Sequence, residues 1–113
     1  EYLRDQLRQI IAGIWDGVVA LTAVRPSVDL DGVTTIYDDY LGAGYAAPTP
    51  EAIQTIYDLA RTEAIFIENV YTSKTLYGMI DLIQKGIIPR DEPVCFIHTG
   101  GLPALLAQGE LFT

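Results

Sequence analysis

Basic residues are scarce in this 113-residue chain, where seven Lys and Arg stand against fifteen Asp and Glu and give a net charge of −8. Nucleic-acid binding depends on Lys and Arg side chains that neutralise phosphates, so the composition argues against a nucleic-acid or polyphosphate partner. A plainer consequence of the acidic excess is solubility, because like charges keep molecules apart.

Cysteine and long apolar runs are lacking as well. The one cysteine, Cys95, excludes an internal disulfide and offers no metal-site spacing, and its apolar neighbours Val94 and Phe96 predict a buried structural thiol. A reducing cytoplasm fits such sparse cysteine use. No run approaches the ~20 consecutive apolar residues of a membrane span, and the first residues do not resemble a signal peptide. The chain opens without Met inside a helical pattern, so we expect a piece of a longer protein.

Apolar residues spaced by three and four predict helices, and short apolar or β-branched runs predict strands between them. The predicted helices begin near Leu3, at Pro50 after a Thr49 cap, near Thr72 or Ser73, and at Leu102, with Gly86 ending the third. The predicted strands are 28–30, 33–37, 64–67 and 94–98, the first two joined by a turn at Asp31-Gly32. This alternation predicts one α/β domain over residues 1–113, an open, mostly parallel sheet flanked by helices.

The first cluster that could carry chemistry is His98-Thr99-Gly100-Gly101, at the carboxyl end of a predicted strand. Ligands of open α/β sheets bind beyond such strand ends, and glycines let a ligand approach the backbone closely. The following helix would direct its free N–H groups to the same crevice. The alternative is a purely structural turn, and His98, the only histidine, is more often a hydrogen-bonded structural group than a base.

Two further clusters carry tyrosines. In residues 69–74, Thr72 and Ser73 are explained as helix caps, whereas the Tyr71 hydroxyl needs a partner if its ring is buried. Lys74 follows in the first helical turn and is expected to reach solvent rather than to form a Schiff base. In residues 42–50, Tyr45 stands on a glycine-hinged loop, where it either faces a site or plugs the edge of the core.

The three clusters resemble, in order, three motifs of the D-cysteine desulfhydrase and 1-aminocyclopropane-1-carboxylate (ACC) deaminase family. Residues 39–51 are similar to its D-Y-x-G-x-G-Y-x-x-P-T-x-E stretch. Residues 60–74 resemble A-R-T-E-G-I-x-L-D-P-V-Y-T-G-K, and residues 96–105 resemble F-I-H-T-G-G-x-P-A-L. The resemblance runs from about residue 38 to the end and is less distinctive in the first helix.

The resemblance implies a fold-type-II (tryptophan synthase β-like) enzyme that depends on pyridoxal phosphate (PLP) and is usually a homodimer. It implies that this chain is a C-terminal part of the large domain and that the substrate is a small amino acid. Tyr71 and Tyr45 would face the substrate as catalytic residues, with Tyr71 the first choice for proton handling. Thr72, Thr99 and Gly100 would lie at the cofactor, where neutral hydroxyls near the pyridine nitrogen make PLP a milder electron sink.

Threonine at positions 72 and 99 separates the branches of that family. The ACC deaminases resemble this chain but tend to carry Glu and Leu at those two places. The matched residues therefore favour α,β-elimination from D-cysteine, or a related sulfur amino acid, to pyruvate, sulfide and ammonia. Two alternatives remain open: ring opening of ACC to 2-oxobutanoate and ammonia, and a non-catalytic α/β module.

The chain also departs from the family pattern. Glu68 and Asn69 replace Asp-Pro, and Ser73 replaces a glycine, so the Tyr71 backbone is expected to tilt. The Schiff-base lysine and the Gly-rich phosphate loop of the family belong to its N-terminal part, and Lys74 and Lys85 lie outside that lysine motif. The chain alone is therefore predicted to be inactive and, with surface uncovered, prone to self-association.

Overall fold

The computed structural model describes residues 2–112, which fold into helices joined by irregular segments. In chain order these are α1 (Tyr2–Thr22), α2 (Pro50–Glu63), α3 (Thr72–Gln84), α4 (Leu102–Ala107) and a 3-10 helix (Gly109–Phe112). The chain divides into two compact units, Glu1–Asp38 and Asp39–Thr113. Across the described residues, no helix combines the length and the apolar character that crossing a membrane requires.

The predicted α/β fold is wrong, because no β-strand occurs in residues 2–112. A strand forms only where a neighbouring segment completes a ladder of backbone hydrogen bonds. Segments 64–67 and 94–98 lie close enough for the His98 ring to bond the Phe66 carbonyl, at 2.9 Å from Nε2. No backbone ladder joins them in the described part of the chain. The apolar composition of these segments therefore predicted strands, but residues 2–112 contain no second strand with which they could pair.

Segment 94–98 is also largely exposed. Ile97 is 77% exposed and Val94 is 44% exposed. Cys95 is an exposed free thiol, which corrects the prediction of a buried one. The apolar character of this segment thus does not reflect packing against the residues described here.

The first unit contains α1 and an irregular tail. The helix ends at Thr22, and Ala23 adopts the left-handed conformation with φ 55°. The predicted turn at Asp31-Gly32 forms, since the Val33 N–H bonds the Asp29 carbonyl at 3.1 Å, but the flanking strands 28–30 and 33–37 do not. Arg4 pairs with Asp38, and this hydrogen bond lowers the pKa of the Asp38 carboxyl.

The second unit is built on the packing of α2 against α3. As predicted, α2 starts at Pro50, and the Thr49 hydroxyl accepts a hydrogen bond from the Ala52 N–H at 3.2 Å. Three buried residues that contact one another form the central cluster of the core: Ile56 of α2, Ile67, and Leu76 of α3. Partly buried apolar side chains surround it: Ile53, Leu59, Met79, Phe96, Leu105 and Phe112. This packing holds in place the residues that lie next to the core residues in the sequence.

The ends of α3 determine where the flanking segments attach. Its C-terminus closes at Gly86 (φ 71°), as predicted, with the Gly86 N–H bonding Ile83 at 3.1 Å and the Ile87 N–H bonding Leu82 at 2.9 Å. On the same helix, Asp81 accepts a hydrogen bond from the Tyr40 hydroxyl at 2.6 Å. The chain leading into loop 41–47 is therefore anchored on α3.

Candidate functional site

The structure brings the three predicted clusters, 42–50, 69–74 and 98–101, together in the second unit. Their contacts lie on three segments: loop 41–47, segment 66–74 and turn 98–101. Tyr45 of the loop contacts Tyr71, with ring centroids 5.8 Å apart. Turn 98–101 meets segment 66–74 twice, through the bond from His98 to the Phe66 carbonyl and through Gly101 against Glu68. Three motifs that are distant in sequence thus converge around one residue, Glu68, and its neighbours.

Glu68 is the centre of this arrangement, and the sequence analysis did not select it as a site residue. Its Oε1 accepts hydrogen bonds from the backbone N–H groups of Tyr71 at 2.9 Å and Thr72 at 2.7 Å, and its Oε2 bonds the Val70 N–H. Tyr71 occupies the cap position of α3 but makes no cap bond with its side chain. The prediction that Thr72 or Ser73 caps α3 is therefore wrong; the Glu68 carboxylate does so. The signal in the sequence was an acidic residue four positions before a helix.

The Glu68 carboxyl is ionised although it is 1% exposed. Burial by itself would raise its pKa, but the backbone hydrogen bonds from Thr72, Tyr71 and Val70 outweigh it, and the pKa lies below the ordinary value. The site therefore contains a buried negative charge whose function is to hold backbone in place.

Tyr45 and Tyr71 form an exposed aromatic pair. Their rings meet edge to face at 63°, and they are 80% and 58% exposed. Neither is a core tyrosine, which removes that alternative for both. Hydrogen bonding to the Tyr45 side chain, followed by partial burial, raises the pKa of the Tyr71 phenol. At neutral pH Tyr71 is thus a hydrogen-bond and proton donor rather than a base.

Lys74 does not reach solvent, contrary to the prediction. The residue is 7% exposed, and its Nζ donates to the carbonyl oxygens of Leu41 at 2.8 Å and Gly44 at 3.0 Å. An ammonium group engaged in this way is not available as a nucleophile, so a Schiff base at Lys74 is unsupported, as the sequence analysis expected.

Turn 98–101 presents backbone and a hydroxyl at the surface. Thr99 and Gly100 are exposed, and Gly100 is left-handed with φ 102°. The Gly100 N–H donates to His98 Nδ1 at 3.0 Å while His98 Nε2 bonds Phe66, so both ring nitrogens are taken by backbone. This confirms the structural interpretation of His98. The following helix, α4, has 6 residues, and a ligand contact at its N-terminus stays a prediction.

Thr72 is placed differently from Thr99. It is 3% exposed, its hydroxyl accepts from the Glu68 N–H at 2.9 Å, and it lies 3.0 Å from Glu68 Oε1 as a donor. In this structure the Thr72 hydroxyl is committed to Glu68. Thr99 is therefore the hydroxyl of the two that is open to a ligand, and a cofactor contact for Thr72 stays a prediction.

Gly101 is the position where turn 98–101 packs most tightly. A Cβ there would lie 2.2 Å from Cγ of Glu68, and its φ is 104°. We expect Gly101→Ala to lower the free energy of unfolding by about 2–4 kcal/mol, since backbone strain and overpacking add. Gly100→Ala is the matched control, because φ is 102° but no atom lies within 4 Å. Denaturant midpoints of the full-length protein measure both, and equal losses would show that the Glu68 contact contributes nothing.

Comparison with known proteins supports the resemblance seen in the motifs. No protein-family model matches the chain. Over 103 residues, or 91% of the chain, it is 35% identical to D-cysteine desulfhydrase of Klebsiella pneumoniae (strain 342). The match covers 30% of that relative, so the chain spans less than a third of its length. The predicted resemblance is therefore confirmed, and this chain is homologous to part of a D-cysteine desulfhydrase.

Proposed function

We propose that the protein carrying this chain is a PLP-dependent lyase that converts D-cysteine to pyruvate, sulfide and ammonia. The observation that carries the proposal is the 35% identity with D-cysteine desulfhydrase over 91% of the chain. The convergence of loop 41–47, segment 66–74 and turn 98–101 supports it, because the family motifs lie on those three segments. The chain would supply one wall of the site, and other parts of the protein would supply the Schiff-base lysine.

The residues of this wall suit a planar pyridine ring. Thr99 offers an exposed hydroxyl, and beside it the space where a Gly100 side chain would stand is empty to 4 Å. A flat ring can therefore approach the Gly100 backbone without meeting a side chain. We propose that Thr99 and Gly100 hold the cofactor, which when bound supplies an electron sink for breaking the bond between Cα and its hydrogen.

Tyr71 is the residue of this chain that we propose handles protons. Its phenol is exposed and, like any tyrosine, protonated at neutral pH; the hydrogen bond with Tyr45 raises its pKa further, so it can donate to the substrate or to the departing sulfur. Glu68 Oε1 accepts a hydrogen bond from the Tyr71 N–H at 2.9 Å and so holds the backbone that carries the Tyr71 side chain. Glu68, which stands with Asn69 in place of the Asp-Pro of the family motif, thus supports Tyr71.

Thr72 and Thr99 support D-cysteine over ACC as the substrate, because the ACC deaminases that the chain resembles tend to carry Glu and Leu there. Because Thr72 stands where those enzymes tend to carry Glu, this position adds no second carboxylate beside Glu68. Within residues 2–112, Glu68 is the carboxylate that acts on the Tyr71 phenol, and three backbone N–H groups donate to it.

The purified full-length protein with added PLP is expected to release sulfide and pyruvate from D-cysteine. Sulfide by methylene-blue formation and pyruvate by coupled NADH oxidation measure the two products independently. L-cysteine and ACC are the matched substrates. Release of ammonia and 2-oxobutanoate from ACC without sulfide from D-cysteine would replace the proposal by the deaminase alternative. No product from any of the three would favour a non-catalytic module.

A further inference from the structure

We propose that Lys74 is a positioning residue whose buried ammonium group holds loop 41–47 so that the Tyr45 ring stays against Tyr71. The proposal deepens the function proposed above and rests on it for its kinetic consequence, although the structural consequence can be tested alone. Lys74 has no part in the chemistry inferred so far, and it approaches the loop from α3.

The shape of loop 41–47 is not maintained by its own backbone. Gly42, Gly44 and Ala46 all have positive φ, at 66°, 134° and 55°. Within the loop one backbone hydrogen bond is formed, from the Ala47 N–H to the Gly44 carbonyl at 3.3 Å. An alanine in the left-handed region is unfavourable by itself, so the surroundings must impose this conformation.

Lys74 supplies that constraint with a charge. Lysine is almost never buried without acceptors for its ammonium group, yet Lys74 is 7% exposed. Its two acceptors, Leu41 and Gly44, lie at 2.8 and 3.0 Å and are both loop carbonyls. Charge-assisted hydrogen bonds are stronger than neutral ones. The buried charge thus stabilises one loop conformation over others.

A second anchor completes the arrangement on the other side of Tyr45. The Asn69 side chain is fully buried, and its Nδ2 donates to the Ala46 carbonyl at 3.4 Å. Gly44 and Ala46 are the residues before and after Tyr45, so a side chain of segment 66–74 holds a carbonyl on each side of it. Tyr45 itself remains 80% exposed. The backbone of Tyr45 is therefore fixed while its side chain is left free to meet a ligand.

The same two anchors lie on either side of Tyr71 in the sequence, since Asn69 precedes it by two residues and Lys74 follows it by three. The segment that carries one tyrosine of the pair therefore supplies the groups that hold the other. This arrangement explains how two exposed rings keep a centroid separation of 5.8 Å without a core around them.

The first test needs no activity. In the full-length protein, Lys74→Met is expected to raise the rate of chymotrypsin cleavage after Tyr45 about tenfold, because a loop that is no longer held can adopt the extended conformation that a protease active site binds. Arg90→Met is the matched control, since Arg90 is an exposed cation of the second unit that lies beyond α3. Lys74→Arg, which keeps the donors, is expected to restore part of the protection. Unchanged cleavage in Lys74→Met would overturn the proposal.

If Lys74→Met unfolds the protein, Asn69→Ala tests the same idea through the other anchor. This substitution removes the hydrogen bond to the Ala46 carbonyl, while the Lys74 ammonium group keeps both of its carbonyl acceptors. Faster cleavage after Tyr45 at temperatures well below the melting temperature of the variant is the expected result. Cleavage that stays at the wild-type rate would show that the loop does not depend on these side chains.

The second test is a double-mutant cycle on turnover of D-cysteine. Lys74→Met is expected to lower kcat/KM by ~10–100-fold, as displacements of about 1 Å in a site do. In a Tyr45→Ala background it should lower kcat/KM less than about twofold, because its effect acts through Tyr45. Effects that multiply would contradict a positioning role. If the protein does not turn over D-cysteine, the function proposed above fails, and the cleavage test still decides the role of Lys74.

Discussion

Tyr71→Phe is expected to lower kcat for sulfide release from D-cysteine by about 100-fold, the lower end of the range for loss of a general acid. The substitution removes the hydroxyl and keeps the ring, so the edge-to-face contact with Tyr45 is retained. The hydroxyl matters because it is the proton donor of this side chain: a phenol is protonated at neutral pH, and the hydrogen bond with Tyr45 raises the pKa of Tyr71 further. Initial rates over a range of D-cysteine concentrations separate kcat from KM.

Tyr37→Phe is the matched control, since Tyr37 is a partly exposed tyrosine of the first unit, outside the three clusters. It should leave kcat and the melting temperature unchanged. A raised pKa also means that Tyr71 stays protonated as pH rises from 7 to 9. Any loss of activity over that range should therefore persist in the Tyr71→Phe protein. If Tyr71→Phe kept the wild-type kcat, the Tyr71 hydroxyl would have no role in proton transfer, and the ring would serve only as an aromatic contact.

Local sequence rules predicted the helix ends correctly where one residue decides the conformation. The Thr49 hydroxyl and the fixed ring of Pro50 start α2, and Gly86 with its positive φ ends α3. These features depend on interactions within a few residues of the chain. The family motifs likewise placed Tyr45, Tyr71 and Thr99 in segments that converge, although no spacing rule could give that convergence.

The errors concern features that depend on distant parts of the chain. Segment 94–98 has the composition of a buried strand, but pairing needs a second segment, which composition does not reveal. Lys74 stands in the first turn of α3, where side chains usually reach water, yet carbonyls 33 and 30 residues earlier in the sequence surround its ammonium group. Glu68 looked like a departure from a motif and proved to be its main support.

Glu68→Ala is expected to lower the free energy of unfolding by about 3 kcal/mol, because it leaves buried backbone donors without an acceptor. The carboxylate accepts from the N–H groups of Val70, Tyr71 and Thr72, and these three donors have no other acceptor among residues 2–112. Glu68→Gln should cost about half as much, since its amide keeps one oxygen and loses the charge. Glu92→Gln, at an exposed glutamate, is the matched control and should change stability little.

The Glu68 contribution should also depend on pH in a defined direction. Its folded pKa is lowered, so the unfolded chain binds this proton more readily than the folded one. The stabilisation is then fully present above the unfolded value of about 4.3 and is lost as pH falls through the lower folded value. Denaturant midpoints measured from pH 7 to pH 3 should show wild type and Glu68→Gln converging below about pH 4. If the difference in midpoint between wild type and Glu68→Gln stayed constant over this range, the charge of the Glu68 carboxylate would not be what supports Tyr71. Because the Tyr71 N–H bonds this carboxylate, the same acid range should release Tyr71 from Tyr45 before the core of α2 and α3 opens.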